Sequence, residues 1–276
     1  MSRTMIQAAV TMNQLQHKLD VTGNNMANSQ TTGYKARQAE FSSLLFQQID
    51  NLTDPTNAEG RLTPDGIRVG SGAKLGSVDI DLRPGNLKET GRALDAALTG
   101  NNHLFQIQVS ASDGPETRFT RDGSFYLSPM NDSDDVMLTT KDGHPVLGED
   151  GPIVFADGFD NITIQPNGQI AVQRGDITED AGTLAITEAV RPQLLEAAGA
   201  NQFVLPDLAE LGFAAEEVIQ PVDPNADKLK SGALEQSNVD VAQQMTDMIA
   251  MQRSYQFNSR TISMSDQMQG LINQLR

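Results

Sequence analysis

Residues 1–34 read MSRTMIQAAVTMNQLQHKLDVTGNNMANSQTTGY, and their apolar side chains recur at intervals of seven. Two heptad positions carry this pattern: Met5, Met12, Leu19 and Met26 occupy one, and Ala8, Leu15 and Thr22 occupy the other. The spacing predicts a helix with one narrow apolar stripe. Its other faces are polar, so the helix has too little apolar surface for a globular core and is suited to pairing. Gly33 is predicted to take a left-handed conformation that ends it.

The other end of the chain has a matching pattern. Ser237-Asn238 is a capping signal, with Asp240 in the first turn of a helix predicted over residues 239–275. Two apolar stripes with heptad spacing run along this helix: Val241, Met248, Tyr255 and Ile262 form the first, and Ala250, Phe257, Met264 and Leu271 form the second. One stripe can hold the N-terminal helix and the other can meet a neighbouring subunit.

The middle of the chain changes to short alternating runs, which predict strands at 77–82, 105–109, 118–119 and 162–164. Turn dipeptides separate these runs at hairpin spacing: Asp113-Gly114, Asp122-Gly123, Asp142-Gly143, Asp150-Gly151, Asp157-Gly158 and Asn167-Gly168. The fold class predicted is α+β, with N- and C-terminal heptad helices paired as a coiled-coil stalk and a central, mostly antiparallel β domain.

The predicted domain organisation follows from these patterns. The N-terminal stalk helix takes residues 1–34, and residues 35–76 form a short helix, at 35–52, and an extended connector. The β-rich outer domain takes residues 77–230, and the C-terminal stalk helix takes residues 231–276. Terminal helices with methionine, alanine and threonine in their seams are weakly stable alone, so we expect them to be partly disordered in the monomer.

Composition excludes several classes of function. The chain has 36 acidic and 20 basic residues, a net charge of −16 and no basic run, which argues against nucleic-acid binding. An apolar fraction of 38% without tryptophan indicates a thin core that neighbouring subunits complete. There is no cysteine, and no apolar stretch has the length of a signal peptide or a membrane span. We expect a protein that is not membrane-inserted and that leaves the cytoplasm, if it does, without a cleaved signal.

No residue pattern favours an active site or a bound cofactor. The glycines at 70–76 miss the dinucleotide-binding spacing, and the three histidines lie apart from other metal ligands. The aspartates at 132–135 lack the glycine and glutamate of a calcium loop, and the Arg-Gly-Asp triplet at 174–176 falls at an expected turn. The sequence therefore predicts no enzyme, cofactor, metal site or small-molecule substrate.

Three segments resemble one known family. They are LDVTGNNMAN at 19–28 with TTGYK at 31–35, RFTRDGSF at 118–125, and GALEQSNVD at 232–240 with MIAMQRSYQ at 248–256. Together they resemble the bacterial flagellar rod and hook axial proteins, most closely the basal-body rod proteins. The matching motif positions are Asn24, Asn25, Asn28, Gly33, Tyr34, Arg121, Asp122, Gly123, Ser237, Asn238 and Asp240. Residues 100–105, GNNHLF, depart from the family's usual glycine followed by paired phenylalanines.

The resemblance implies a structural subunit of the basal-body rod that self-assembles through its terminal helices and is required for motility. Its implied partners are copies of itself, homologous rod and hook proteins, and the flagellar export apparatus; its implied place is the basal body, outside the cytoplasm. The assembly residues would be Met5, Met12, Leu15, Leu19, Met26, Val241, Met248, Tyr255 and Ile262. Asn24, Asn25 and Asn28 would either cap the helix end or set the register between subunits.

Two alternatives remain open from the sequence. A hook or hook-junction subunit belongs to the same class, although the length suits a rod protein better. A secreted β-domain adhesin or binding module is the alternative from a different class, and only the β-rich middle supports it.

Overall fold

The structure, a computed structural model, describes residues 3–43, 47–49, 67–69, 73–111, 114–130, 134–199, 201–223 and 226–274. Its helices are α1 (Arg3–Ala27), α2 (Leu208–Leu211), α3 (Ala215–Val218) and α4 (Val241–Gln274). The first strands are β1 (Arg37–Ser43), β2 (Gln47–Ile49), β3 (Ile67–Val69), β4 (Ala73–Ile80), β5 (Leu87–Glu89), β6 (Ala96–Leu98), β7 (His103–Ala111), β8 (Gly114–Thr120), β9 (Phe125–Pro129) and β10 (Asp135–Thr140). The later strands are β11 (Leu147–Gly148), β12 (Gly151–Pro152), β13 (Val154–Ala156), β14 (Asn161–Ile164), β15 (Gln169–Arg174), β16 (Ile177–Thr183), β17 (Ile186–Ala189), β18 (Glu196–Ala197), β19 (Gln202–Val204), β20 (Ile219–Pro221), β21 (Leu229–Ser231) and β22 (Ala233–Glu235).

The chain divides into two compact units. The helical unit consists of Met1–Asn24, Arg37–Asp79 and Ala242–Arg276, and the β unit consists of Asn25–Ala36 and Ile80–Val241. A long helix near each end and a central antiparallel β region confirm the predicted α+β class.

The helical unit contains most of α1 and α4, which have 25 and 34 residues. The prediction of Asp240 within the first turn is wrong, because α4 begins at Val241 and Asp240 directly precedes it. Ser237 does serve the helix approach, since its hydroxyl accepts the Val239 N–H at 3.3 Å.

The short helix predicted at 35–52 is also wrong wherever the structure describes this segment. β1 pairs with β4, and β2 pairs antiparallel with β3. A short apolar run fits both the period of a helix and that of a strand. Hydrogen bonding to residues far along the chain makes this segment a strand. Residues 44–46 and most of the predicted connector at 53–76 lie outside the described residues, and its described parts at 67–69 and 73–76 are strand.

The β unit is organised around a six-stranded sheet in the order β18-β19-β8-β7-β17-β20. β7 and β8 pair antiparallel from Phe105 opposite Thr120 to Ala111 opposite Gly114. Two three-stranded sheets, β13-β10-β9 and β14-β15-β16, complete most of the unit.

Successive side chains of β7 point into two different cores, as the pleat of a strand requires. Phe105 belongs to the larger core, where its ring meets the edge of Phe125 at 5.1 Å between centroids. Leu104 belongs to the smaller core, with Phe119 and Phe203. The central strand is thus covered on both faces, which fixes the position of the loops at its two ends.

The predicted turns are confirmed at Asp150-Gly151, which joins β11 to β12, and at Asn167-Gly168, which joins β14 to β15. Asp122-Gly123 is not the hairpin turn that its composition predicts. β8 pairs with β7 and β19, whereas β9 pairs with β10, so the link between β8 and β9 crosses from one sheet to another. Asp113 lies outside the described residues.

Candidate functional site

The three motif segments meet in the β unit at a buried cluster of charges. Glu235 lies between Lys35 and Arg121, with its Oε1 2.6 Å from Lys35 Nζ and its Oε2 2.6 Å from Arg121 Nε. The side chains of Lys35 and Arg121 are fully buried and that of Glu235 is 1% exposed. One carboxylate therefore joins residues that lie 200 and 114 positions away from it in the sequence. We call this cluster of Lys35, Arg121 and Glu235 the clasp.

Backbone groups add further hydrogen bonds to the clasp. Glu235 Oε1 also accepts the Gly85 N–H at 2.7 Å, and Lys35 Nζ also donates to the Arg83 carbonyl at 2.7 Å. The Arg121 guanidinium donates to the carbonyls of the turn that leads into β7: Gly100 at 2.7 Å, Asn101 at 3.0 Å and His103 at 2.7 Å. Such dense pairing is what makes burial of three charges tolerable.

The clasp holds two cations against one anion. Burial, and next the positive charge of Arg121, lower the pKa of Lys35 to about 8, while the Glu235 carboxylate acts in the opposite direction. The desolvation of the ammonium and its repulsion from the guanidinium thus exceed its attraction to the shared carboxylate. The clasp depends on Glu235 more than on either cation.

A second polar group lies beside the clasp and is centred on Asp122. Its Oδ1 accepts the Thr32 hydroxyl at 3.1 Å and the Ser124 hydroxyl at 2.7 Å, and its Oδ2 accepts from Asn201 Nδ2 at 3.0 Å. Lys141 Nζ lies 3.5 Å from the same carboxylate. Asp122 thus binds the segment after α1 to the link after β8 by side-chain contacts.

Gly33 brings these two backbones into direct contact. It has a φ of +66°, and a Cβ at this position would lie 2.5 Å from Asp122 N. Its N–H donates to the Glu235 carbonyl at 2.9 Å. The predicted left-handed glycine is confirmed, and the structure adds a reason for it, since no larger residue fits against Asp122.

Asn238 fastens the same region from its C-terminal side. Its Oδ1 accepts the Ala36 N–H at 2.8 Å, and its Nδ2 donates to the carbonyls of Asp81 at 2.8 Å and Arg83 at 3.0 Å. One amide therefore joins its own segment to two others, at Ala36 and at 81–83. This geometry differs from the predicted capping role, because the Asn238 side chain forms these hydrogen bonds with segments other than α4.

The two long helices differ in how much of their predicted stripes the chain covers. On α1, the predicted assembly residues Met5, Met12, Leu15, Leu19 and Met26 are all half-buried. On α4, Met248, Tyr255 and Ile262 of the first stripe are half-buried, whereas Val241 is exposed. The second stripe is open to solvent, with Phe257 70%, Met264 54% and Leu271 61% exposed.

Comparison with known proteins covers all of these regions. Residues 7–35 match the family model described as flagella basal body rod protein, residues 97–172 match the flagellar hook protein FlgE/F/G D1 domain, and residues 230–275 match the flagellar basal body rod FlgEFG protein C-terminal. The flagellar hook-basal body complex protein FlhP of Bacillus subtilis is 39% identical over 100% of both chains. The flagellar basal-body rod protein FlgG of Agrobacterium fabrum is 33% identical over 98% of both chains. The protein of the same name from Borreliella burgdorferi is 31% identical over 100% of this chain and 99% of its own length.

The chain belongs to the flagellar rod and hook protein family.

This family consists of structural flagellar proteins and not of enzymes, and its members assemble with homologous flagellar proteins. Each of the three matched segments contributes one member of the clasp: Lys35, Arg121 and Glu235. The clasp is therefore the place where the family's separate sequence segments meet in three dimensions.

The family's asparagines take different positions around the end of α1. Asn25 is buried and its Oδ1 accepts the hydroxyl of the fully buried Tyr34 at 3.0 Å. Asn28 Oδ1 accepts the Thr31 hydroxyl at 3.2 Å, within the turn that follows the helix. Asn24 is exposed. Asn28 thus serves the turn, whereas Asn25 holds an aromatic side chain in place.

Sequence reasoning did not single out Lys35, Glu235 or Asn201. Lys35 and Glu235 stand inside the quoted motifs, and a glutamate directly after Ala233-Leu234 in a short apolar strand was a usable signal for a buried, paired charge. Asn201 has no comparable local signal, because only the fold brings it to Asp122.

The described residues give no structural support for a metal site, a membrane-spanning helix or an adhesive Arg-Gly-Asp motif. Within the described ranges, no group of three histidine, aspartate or glutamate side chains is placed to hold a metal ion, and no helix is long and apolar enough to cross a membrane. The Arg-Gly-Asp triplet forms the turn between β15 and β16, as predicted. Arg174 donates to the Ala156 carbonyl in the neighbouring sheet and lies 3.5 Å from Glu179 on β16, so its side chain is held within the β unit.

Proposed function

We propose that the chain is a structural subunit of the flagellar basal-body rod, which assembles through α1 and α4 into the axial structure that links the motor to the hook. Flagellum-dependent motility would require it. In this proposal its partners are copies of itself and homologous axial proteins, and it reaches them through the flagellum's own export apparatus.

The observation that carries the proposal is the open stripe on α4. Phe257, Met264 and Leu271 share one side of the helix and leave more than half of each side chain in water. Burying each such side chain fully contributes about 1.5–3 kcal/mol, and a soluble monomer rarely leaves several in a row without a partner. Neighbouring subunits of an axial assembly would supply that partner.

The covered stripes support the other half of the proposal. Half-buried residues recur at heptad spacing on both α1 and α4, and the two helices belong to the same compact unit. We infer that α1 and the first stripe of α4 form a coiled-coil seam within one subunit, which leaves the second stripe for its neighbour. Ordering both helices costs conformational entropy, so assembly would need an existing axial structure as a template.

Rod and hook are the two candidate places. Similarity over nearly the full length of rod proteins named FlgG favours the rod. The 39% identical relative is named for the hook-basal body complex as a whole, which keeps a hook or hook-junction subunit as the second candidate. Locating the protein along the axis of purified hook-basal bodies by gold labelling separates them.

The test of the assembly surface is a double substitution, Phe257→Ser with Met264→Ser, in cells that lack the native chain. The matched control on the same helix is Gln252→Ser with Gln256→Ser, two exposed polar positions away from the open stripe. We expect the first pair to abolish swarming and to leave few complete hook-basal bodies, while the control behaves as wild type. Normal assembly of the Phe257 and Met264 variant would refute the role of this surface.

A further inference from the structure

The ring of His103 supports the turn that holds Arg121. A methyl group added to Gly100 would overlap the imidazole, so the ring lies directly on the backbone of that glycine. The carbonyls of Gly100, Asn101 and His103 itself accept the three guanidinium hydrogen bonds of Arg121. A movement of the ring therefore reaches the clasp through a single turn of backbone.

The surroundings of the ring disfavour its protonated form. Nδ1 is buried without a hydrogen-bond partner among the described residues, so a proton placed there would be an unsatisfied buried donor. Burial is the largest influence, and it lowers the pKa of His103.

The charges that face the ring come from three other elements. Arg121, in the link after β8, and Lys228, before β21, both disfavour the imidazolium. Glu188 on β17 favours it, and this glutamate stands opposite His103 in the register of the sheet. The ring thus faces one carboxylate and two cations, and its protonation would add a third cation.

We propose that His103 is an acid-sensitive latch on the clasp: protonation of its ring displaces the turn at 100–103, withdraws the carbonyls that hold Arg121, and loosens the attachment of the N- and C-terminal motifs. The latch is closed near neutral pH and opens as the pH falls below the range in which an ordinary histidine titrates. This is a property of the single subunit and does not depend on the assembly proposed above.

The sign of the effect follows from the direction of the shift. The folded chain binds the His103 proton less readily than the unfolded chain does, so the stability contributed by the neutral ring is present above about pH 6.5 and is lost as the pH falls. Each unit by which the pKa is lowered corresponds to about a tenfold increase in clasp opening at low pH.

The direct test is a proton NMR titration of the imidazoles in the full chain, assigned with His17→Gln and His144→Gln variants. We expect the His103 ring to titrate below about pH 6.5. A ring that titrates at or above that value would overturn the proposal, and this measurement needs no variant of His103 itself.

The functional test is amide hydrogen exchange at Gly33, whose N–H is bonded to the Glu235 carbonyl and so reports the state of the clasp. In the wild type, protection corrected for the intrinsic exchange rate should be constant above about pH 6.5 and fall as the pH is lowered below that value. His103→Gln and His103→Phe should remove that dependence, whereas His144→Gln, a histidine outside the clasp, should retain it. Equal losses of protection in the wild type and both His103 variants would refute the latch.

Discussion

Replacing Glu235 by glutamine tests whether the clasp is a principal source of stability in the β unit. The substitution keeps the size and shape of the side chain but removes the only carboxylate that contacts Lys35 and Arg121 among the ion pairs of the described residues. It leaves two fully buried cations beside each other, and one amide N–H₂ then faces a donor. Breaking a buried ion pair in this way costs about 3–5 kcal/mol.

That loss is a large part of the roughly 5–15 kcal/mol by which a domain is stable, and it corresponds to a fall in Tm of about 6–20 °C. Urea and thermal unfolding followed by circular dichroism measure it. Glu89→Gln is the matched control, because Glu89 pairs with Lys230 at 2.7 Å on the surface and its side chain is 78% exposed. We expect that control to unfold as the wild type does. A Glu235→Gln variant as stable as Glu89→Gln would refute the reasoning about the clasp.

Two further predictions concern the same region. The pKa of Lys35 is lowered to about 8 in the folded chain, from about 10.5 in the unfolded chain, so the unfolded state binds more protons between those pH values. The stability of the wild type relative to Lys35→Met should therefore rise from pH 8 to pH 10. A difference in urea midpoints that stays flat or falls over this range would contradict the prediction. Gly33→Ala should cost more than Gly143→Ala, because both glycines have positive φ but only Gly33 meets another backbone. The shared conformational cost is about 1–2 kcal/mol, and equal losses in denaturant titrations would show that the contact with Asp122 is unimportant.

The long helices were the most predictable part of the fold, because a heptad pattern that persists over several turns fits no other element. Both ends of α4 lie within two residues of the helix predicted at 239–275, but the stalk bounds of 231–276 are wrong at their start, because β21 and β22 occupy most of 229–235. The stalk helix predicted at 1–34 is also too long, because α1 ends at Ala27. The segment at 35–52 failed because its apolar residues are few and closely spaced, and the pairing of β1 with β4 depends on a strand about thirty residues further along.

The clasp could be located only in part from the sequence. The motifs marked Gly33, Arg121 and Asn238 as special positions, yet they did not indicate that these residues meet. Asp122-Gly123 looked like a hairpin turn because its composition is typical of one, whereas the link after β8 enters a different sheet and is buried against the N-terminal motif. Contacts between residues separated by one hundred or two hundred positions are set by the topology of the sheets, and local composition does not encode that topology.

We propose that this chain is an axial component of the flagellum and that its terminal helices are required for its assembly. Electron microscopy of basal bodies can decide this, in cells that lack the gene product and are complemented with the full chain or with versions lacking residues 1–34 or 236–276. We expect truncated basal bodies and no motility without the protein, full rescue by the complete chain, and no rescue by either truncation. Complete, motile flagella in cells that lack the protein would contradict it.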